Sequence, residues 1–236
     1  MAGRDRSTRW LVVGLVVGLL AWVGARRRRA RREAARALAE RSVRAVPFDP
    51  EALALLPEPA RRYLARALEA GVPLPRAAVL ELGGRVRGGT GKPWRPLAVT
   101  RQVLDGAGEG GDVLPGRGNE ARRAAWSWAA LEALWLPSRL LPARGARWTP
   151  VDDRRAAVRF EVAGRPCTLV LAVDPDGRVE EARLQAEGAE LVADTFLEEG
   201  RFQGVTVPTR FRVGWGLGSR GGVDLVQPVL RTVRFR

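Results

Sequence analysis

The 236 residues carry 40 arginines and lysines against 26 acids, a net charge of +14, with 46% apolar side chains. That is enough chain for one medium domain with a real core, and a lone cysteine rules out a disulfide framework. The complete lack of histidine removes the commonest general base and metal ligand, and with them Ser-His-Asp catalysis, Cys-His catalysis and most zinc sites.

Charge is unevenly spread. Nine arginines against Asp5 and Glu33 place half of the excess in the first 33 residues, and Lys92 is the only lysine of the chain. After a tail of residues 1–9, the stretch 10–25 (WLVVGLVVGLLAWVGA) has neither charge nor proline. As a helix it spans about 24 Å, slightly less than the roughly 30 Å of a hydrocarbon core. Flanking arginines can snorkel, and Trp10 and Trp22 suit the two interfaces. The arginine run that follows is a poor setting for signal cleavage and there is no lipobox cysteine, so a retained single-span transmembrane helix is expected. Residues 26–46 read as a basic juxtamembrane helix whose Arg26, Arg27, Arg28, Arg29, Arg31 and Arg32 meet anionic lipid headgroups. This position beside an apolar span favours lipid over nucleic acid as the basic cluster's partner. The more basic C-terminal flank predicts a single-pass protein of the cell (inner) membrane with residues 47–236 in the cytoplasm.

Pro47-Phe48-Asp49-Pro50 ends that helix. Leu56 to Leu68 reads as the next one, with Pro59 in its first turn, Tyr63, Leu64, Ala67 and Leu68 on its apolar face, and Gly71 after its end. Val72 to Pro75 is an extended linker. From Val79 the hydrophobic period changes to two, giving strands at 79–87 and 96–104 joined by a glycine-rich loop that lacks any phosphate-binding pattern. Asp105 to Gly118 is a glycine-rich connection. Asn119 caps a helix whose Ala121, Ala125, Trp128, Leu131 and Trp135 share one face; Trp126 lies off it, so the helix is expected to be covered on two sides. Pro137 stops it and Ser138 to Leu141 add a turn.

After the Asp152-Asp153 corner, Ala156, Val158, Phe160 and Val162 alternate with Arg155, Arg159 and Glu161. Cys167 to Val173 is apolar throughout, as a central strand would be. Asp174-Pro175-Asp176-Gly177 is a hairpin turn, with strands expected at 179–184, 191–196, 205–215 and 224–236. Successive strands with short turns and no βαβ spacing imply an α+β domain on an antiparallel meander.

Leu56-Pro57-Glu58-Pro59, Arg62-Tyr63-Leu64, the run Glu132 to Pro142, Trp148, Asp152-Asp153 and the later GVTVPTRFRVGW occur in this order. In them the chain resembles an uncharacterised, often membrane-anchored bacterial family known only as a domain of unknown function, though the Trp94 to Asn119 segment looks shorter here. The resemblance implies a strongly curved, mainly antiparallel sheet, half-barrel-like, with packed helices. That form is similar to lipoprotein-localisation factors, which bind acyl chains. The family brings no established catalytic residues, metal or cofactor.

Candidate ligand-binding residues are therefore Trp128, Glu132, Trp135, Trp148, Asp152 and Trp215. The indoles suit the wall of an apolar pocket, or simply the core. Glu132, if buried, needs an arginine such as Arg139 or Arg147, because an unpaired buried carboxylate is costly. Asp152 and Asp153 alternate across a strand and so suit a turn better than a shared catalytic or metal site. The leading expectation is non-enzymatic binding of a lipid or other apolar ligand near the membrane surface. The alternatives are a membrane-proximal protein-interaction scaffold and a carboxylate-based hydrolase using Glu132 and Asp152.

Overall fold

The computed structural model describes residues 46–89, 91–105, 118–186, 189–215 and 223–236. The expected transmembrane helix 10–25, nearly all of the juxtamembrane helix 26–46 and most of the glycine-rich connection fall outside them. Among the described residues no helix is long and apolar enough to cross a membrane. Residues 46–236 form one compact unit.

Among the described residues nine strands run antiparallel: β1 Ala77–Val86, β2 Arg95–Leu104, β3 Arg147–Pro150, β4 Arg155–Val162, β5 Arg165–Val173, β6 Val179–Ala186, β7 Ala189–Phe202, β8 Val205–Trp215 and β9 Val223–Phe235. Their hydrogen-bonded order is β2-β1-β9-β8-β7-β6-β5-β4-β3, so the sheet stays open with β2 and β3 as its edges. Each edge is blunted: β3 has four residues and ends in Pro150, while β2 begins Arg95-Pro96, and shortness, charge and proline all discourage pairing with another chain. The β8–β9 ladder is sparse, with four registered pairs, and Pro228, which has no N–H to donate, lies in the gap between Val226 and Val229.

Sequence alternation and strand burial agree. On β4 the pattern is exposed at Arg155, Arg159 and Glu161 and buried at Ala156, Val158, Phe160 and Val162. The hairpins follow from local chemistry. Ala163 and Gly164 between β4 and β5, and Gln203 and Gly204 between β7 and β8, all have positive φ, as two-residue turns matched to the strand twist require. At the β5–β6 turn, Asp174 Oδ1 accepts the Arg178 N–H at 2.8 Å. Strand β7 is longer than the expected 191–196 because it continues past a bulge to the Gln203-Gly204 turn, and β3 escaped the periodicity because four residues are too few to show one.

Among the described residues two α-helices pack with this sheet: α1 Glu58–Ala67 and α2 Gly118–Leu131. Pro59 stands in the first turn of α1, where no N–H is missed. Three short 3-10 turns continue α2: Glu132–Trp135, Pro137–Leu140 and Pro142–Arg144. The single α-helical face expected through Trp135 is thus corrected, since the α-helix ends at Leu131. Pro137 is the reason, because the residue before a proline is barred from the α region, and Leu136 takes φ −136°, ψ 67°. The chain tightens over the preceding turn, and 3-10 geometry eclipses Glu132 and Trp135 at i and i+3.

Every residue from Ser127 to Leu141 is buried, polar ones included. This run contacts β4, β5 and β6 through α2 and β2 and β8 through the turn that follows, so strands from both halves of the sheet cover it.

Helix α1 sits on the β5–β6 turn so closely that a Cβ on Gly177, at φ 84°, would lie 2.5 Å from the Arg62 carbonyl oxygen. Gly145 has the same φ of 84° but nothing within 4 Å. Gly145→Ala should therefore cost about 1–2 kcal/mol for the left-handed conformation alone. Gly177→Ala should cost roughly 3 kcal/mol or more, because backbone must move as well. Thermal melting of the two variants by circular dichroism checks this, and equal losses would contradict the close seat of α1.

Candidate functional site

The six residues proposed from sequence do not form one site. Trp128 and Trp135 lie in the core with ring centroids 5.9 Å apart. The Trp135 indole N–H donates to the Pro208 carbonyl at 2.9 Å, while that of Trp128 has no hydrogen-bond partner among the described residues. Trp148, half-buried, donates to the Leu140 carbonyl at 2.8 Å. Trp215 is half-buried at the end of β8 and packs against the core. Asp152 is exposed; its Oδ1 accepts the N–H groups of Arg154 and Arg155 and its Oδ2 accepts Arg155 Nε at 2.7 Å. These bonds, the backbone one from Arg154 foremost, hold its carboxyl below the usual range. Asp152 is a turn acid.

Glu132 is 2% exposed, and its partner is neither Arg139 nor Arg147 but Arg101, whose Nε and guanidinium NH2 reach Oε1 at 2.8 and 2.6 Å. The correction is topological. Arg101 sits on the inward face of the edge strand β2, two residues from buried Val103 and so on the same face, and no local signal joins it to a helix 31 residues later. Burial pushes Glu132 up to about 7, with the Arg101 charge pulling against that rise. Arg139 is itself buried, gives a hydrogen bond to the Glu161 carbonyl at 2.6 Å and lies over the Phe160 ring. Cys167, also buried, has its thiol pushed up to about 12 and is inert as a nucleophile.

A different constellation does form a cleft. Helix α1 supplies Tyr63 and Arg66, the β5–β6 turn supplies Gly177 and Val179, and β7 and β8 supply Phe196, Glu199, Thr206 and Pro208, over a floor of Ala67 and Leu134. The inner recess has about 10 Å3 of free space, room for one water-sized group. It opens onto a surface groove of about 450 Å3 that shares Arg66, Val179, Phe196, Glu199 and Thr206 with it and adds Arg178 and Arg201.

The cleft exists because β7 bulges: its register against β8 shifts between Asp194 and Glu198 and again between Glu198 and Glu199. Such bulges re-aim side chains. Here Phe196 stacks on Phe211 at 5.0 Å, and Phe211 in turn lies 5.3 Å from Trp135. Arg66 grips one oxygen of Glu199, Oε2, with Nε at 2.9 Å and NH2 at 2.7 Å, and Arg178 stands 3.7 Å from that same oxygen. Tyr63 is 5% exposed, yet its hydroxyl has no hydrogen-bond partner among the described residues. Burial, and secondarily the charge of Glu199, raise its pKa, so it remains an O–H donor.

Tyr63 was legible in sequence only as part of an apolar helix face. Glu199 lies 136 residues from Tyr63 and carries no motif, so nothing local marked the pair. Among the described residues no group of three acids and cysteines gathers to hold a metal ion.

An open antiparallel α+β domain with a helical segment buried against it defines the class. The chain belongs to a family of unknown function, DUF6544, whose model matches residues 46–107 and 112–222. No curated protein and no solved structure matches it.

Arg101→Met should strand the buried Glu132 carboxylate and destabilise the fold by about 3–5 kcal/mol, with Arg101→Met/Glu132→Met recovering most of it. Since burial raises Glu132 above its ordinary value of 4.5 to about 7, the folded state holds the proton more tightly than the unfolded one. Its contribution to stability therefore falls as pH rises from about 4.5 to about 7 and is flat above. Melting curves across this range should show that slope in the wild type and not in Glu132→Gln; identical profiles would contradict the raised value.

Proposed function

We propose that this chain is a membrane-anchored, non-enzymatic protein that binds a lipid or other apolar ligand near the membrane surface, its domain on the cytoplasmic side of the cell membrane. The carrying observation is the cleft beside α1, lined by apolar Leu134, Val179 and Phe196 and by Tyr63, whose buried hydroxyl has no partner among the described residues. Pockets that take small molecules combine such apolar walls with a few placed polar groups. Arg26 to Arg32 and the apolar stretch before them support the membrane location.

The half-barrel form of the sheet belongs to this reading, and burial of Ser127 to Leu141 by strands of both halves supports it. That same burial argues for a ligand at the periphery, since the run fills the space an acyl chain would take in an empty half-barrel. A carboxylate hydrolase would need Glu132 and Asp152 in one open site. Glu132 is enclosed with Arg101 and Asp152 is held by Arg155 on the surface, which favours the binding reading over it.

Native mass spectrometry of the full chain released from detergent micelles tests the proposal. The wild type should retain a co-purifying lipid-sized mass at near one-to-one ratio, and Phe196→Ala, which removes an aromatic wall of the cleft, should lose most of it. A bare polypeptide mass across detergents of differing harshness would contradict it.

A further inference from the structure

We infer that the recess at Tyr63 receives a hydroxyl group, and that the ligand of the cleft is a polyol headgroup such as the glycerol of a neutral lipid. This rests on the lipid-binding reading above and names the chemistry it would recognise.

Three observations converge. First, the recess has about 10 Å3 of space, which admits one oxygen-sized group and no methylene chain. Second, its polar groups are complementary to a hydroxyl. The Tyr63 O–H has no hydrogen-bond partner among the described residues and can donate. Glu199 binds Arg66 through Oε2, and a carboxylate, with about four lone-pair sites on two oxygens, keeps acceptor capacity beyond those bonds. A hydroxyl is both acceptor and donor, so it answers both groups at once. A carbonyl or ester oxygen answers Tyr63 alone, and a carboxylate or phosphate would compete with Glu199 for Arg66. Third, the groove outside is lined by Thr206, Arg178 and Arg201 beside the half-buried Phe196 ring. Polar side chains flanking an aromatic surface suit further hydroxyls and the C–H face of a polyol, with an acyl chain left in the bilayer. A buried polar atom without a partner costs free energy, and a ligand hydroxyl, or a water in its absence, relieves that cost.

Tyr63 is the single tyrosine of the chain, so 3-fluorotyrosine labelling gives one 19F resonance inside the recess. The full chain in phosphatidylcholine nanodiscs is titrated with monoolein, with methyl oleate, which has the same acyl chain and no hydroxyl, and with free glycerol. Monoolein should move the resonance saturably, and methyl oleate should bind at least roughly tenfold more weakly. Glycerol acting at the same concentrations as monoolein would support hydroxyl recognition while removing the lipid from it. Equal responses to monoolein and methyl oleate would overturn the hydroxyl inference and leave lipid binding standing. No response to any of the three would overturn both. As a second variant, Tyr63→Phe should lose monoolein retention in native mass spectrometry roughly tenfold with its Tm unchanged or raised, since the hydroxyl has no partner among the described residues. Retained monoolein, or a Tm lowered by several degrees, would overturn the assignment.

Discussion

A helical segment buried on every side has only the protein to supply its polar partners, and the arrangement of this domain follows from how most of them are supplied. The Ser127 hydroxyl and the Trp128 N–H are left without one among the described residues. Between Ser127 and Leu141 the side chains of Glu132, Trp135, Ser138 and Arg139 reach Arg101 on β2, the Pro208 carbonyl on β8, the Pro75 carbonyl ahead of β1 and the Glu161 carbonyl on β4. Trp148 returns the favour from β3 by donating to Leu140. Strands distant in the sheet order are thereby tied to one segment. Burying Trp128 and Trp135 contributes about 4–6 kcal/mol each on area grounds. The polar ties add little net energy individually and instead fix which strand meets which residue.

A filled interior moves ligand space outward. Among the described residues one recess beside the core lies where β7 bulges away from β8 and α1 bridges the gap, and the aromatic chain Phe196–Phe211–Trp135 connects that place to the buried segment. Two acid–arginine pairs also differ in use. Glu132 and Arg101 close a polar gap in the core, with 3% and 10% of their side chains exposed, whereas Arg66 and Glu199 are 31% and 22% exposed at the mouth of a cleft. The first pair serves packing. The second can meet a ligand.

Much of this fold is legible in the sequence. Alternation on β4 and β8, the Asp174–Gly177 turn and the proline at the start of α1 are local signals with local causes, and they locate their elements to within a few residues. The 3-10 turn at Glu132–Trp135 was not legible, because an i, i+3, i+4 pattern fits an α-helix equally well until the effect of Pro137 on Leu136 is felt. The partner of Glu132 and the pairing of Tyr63 with Glu199 were hidden for another reason. Both depend on strand order, which brings β2 over the end of α2 and β7 beside α1, and strand order leaves no mark at any one residue. Indoles that suit a pocket wall suit a core equally well, and here Trp128 and Trp135 are core.

Hydrogen exchange of the full chain, read residue by residue, tests the central claim most directly. If the segment from Trp128 to Leu141 is held by strands of both halves, its hydrogen-bonded amides should exchange as slowly as those of central β5 and β8, close to the limit set by global unfolding. Exchange there as fast as in α1 or the β3 edge, with the strands still protected, would mean that the segment leaves the sheet without unfolding it and would contradict the account.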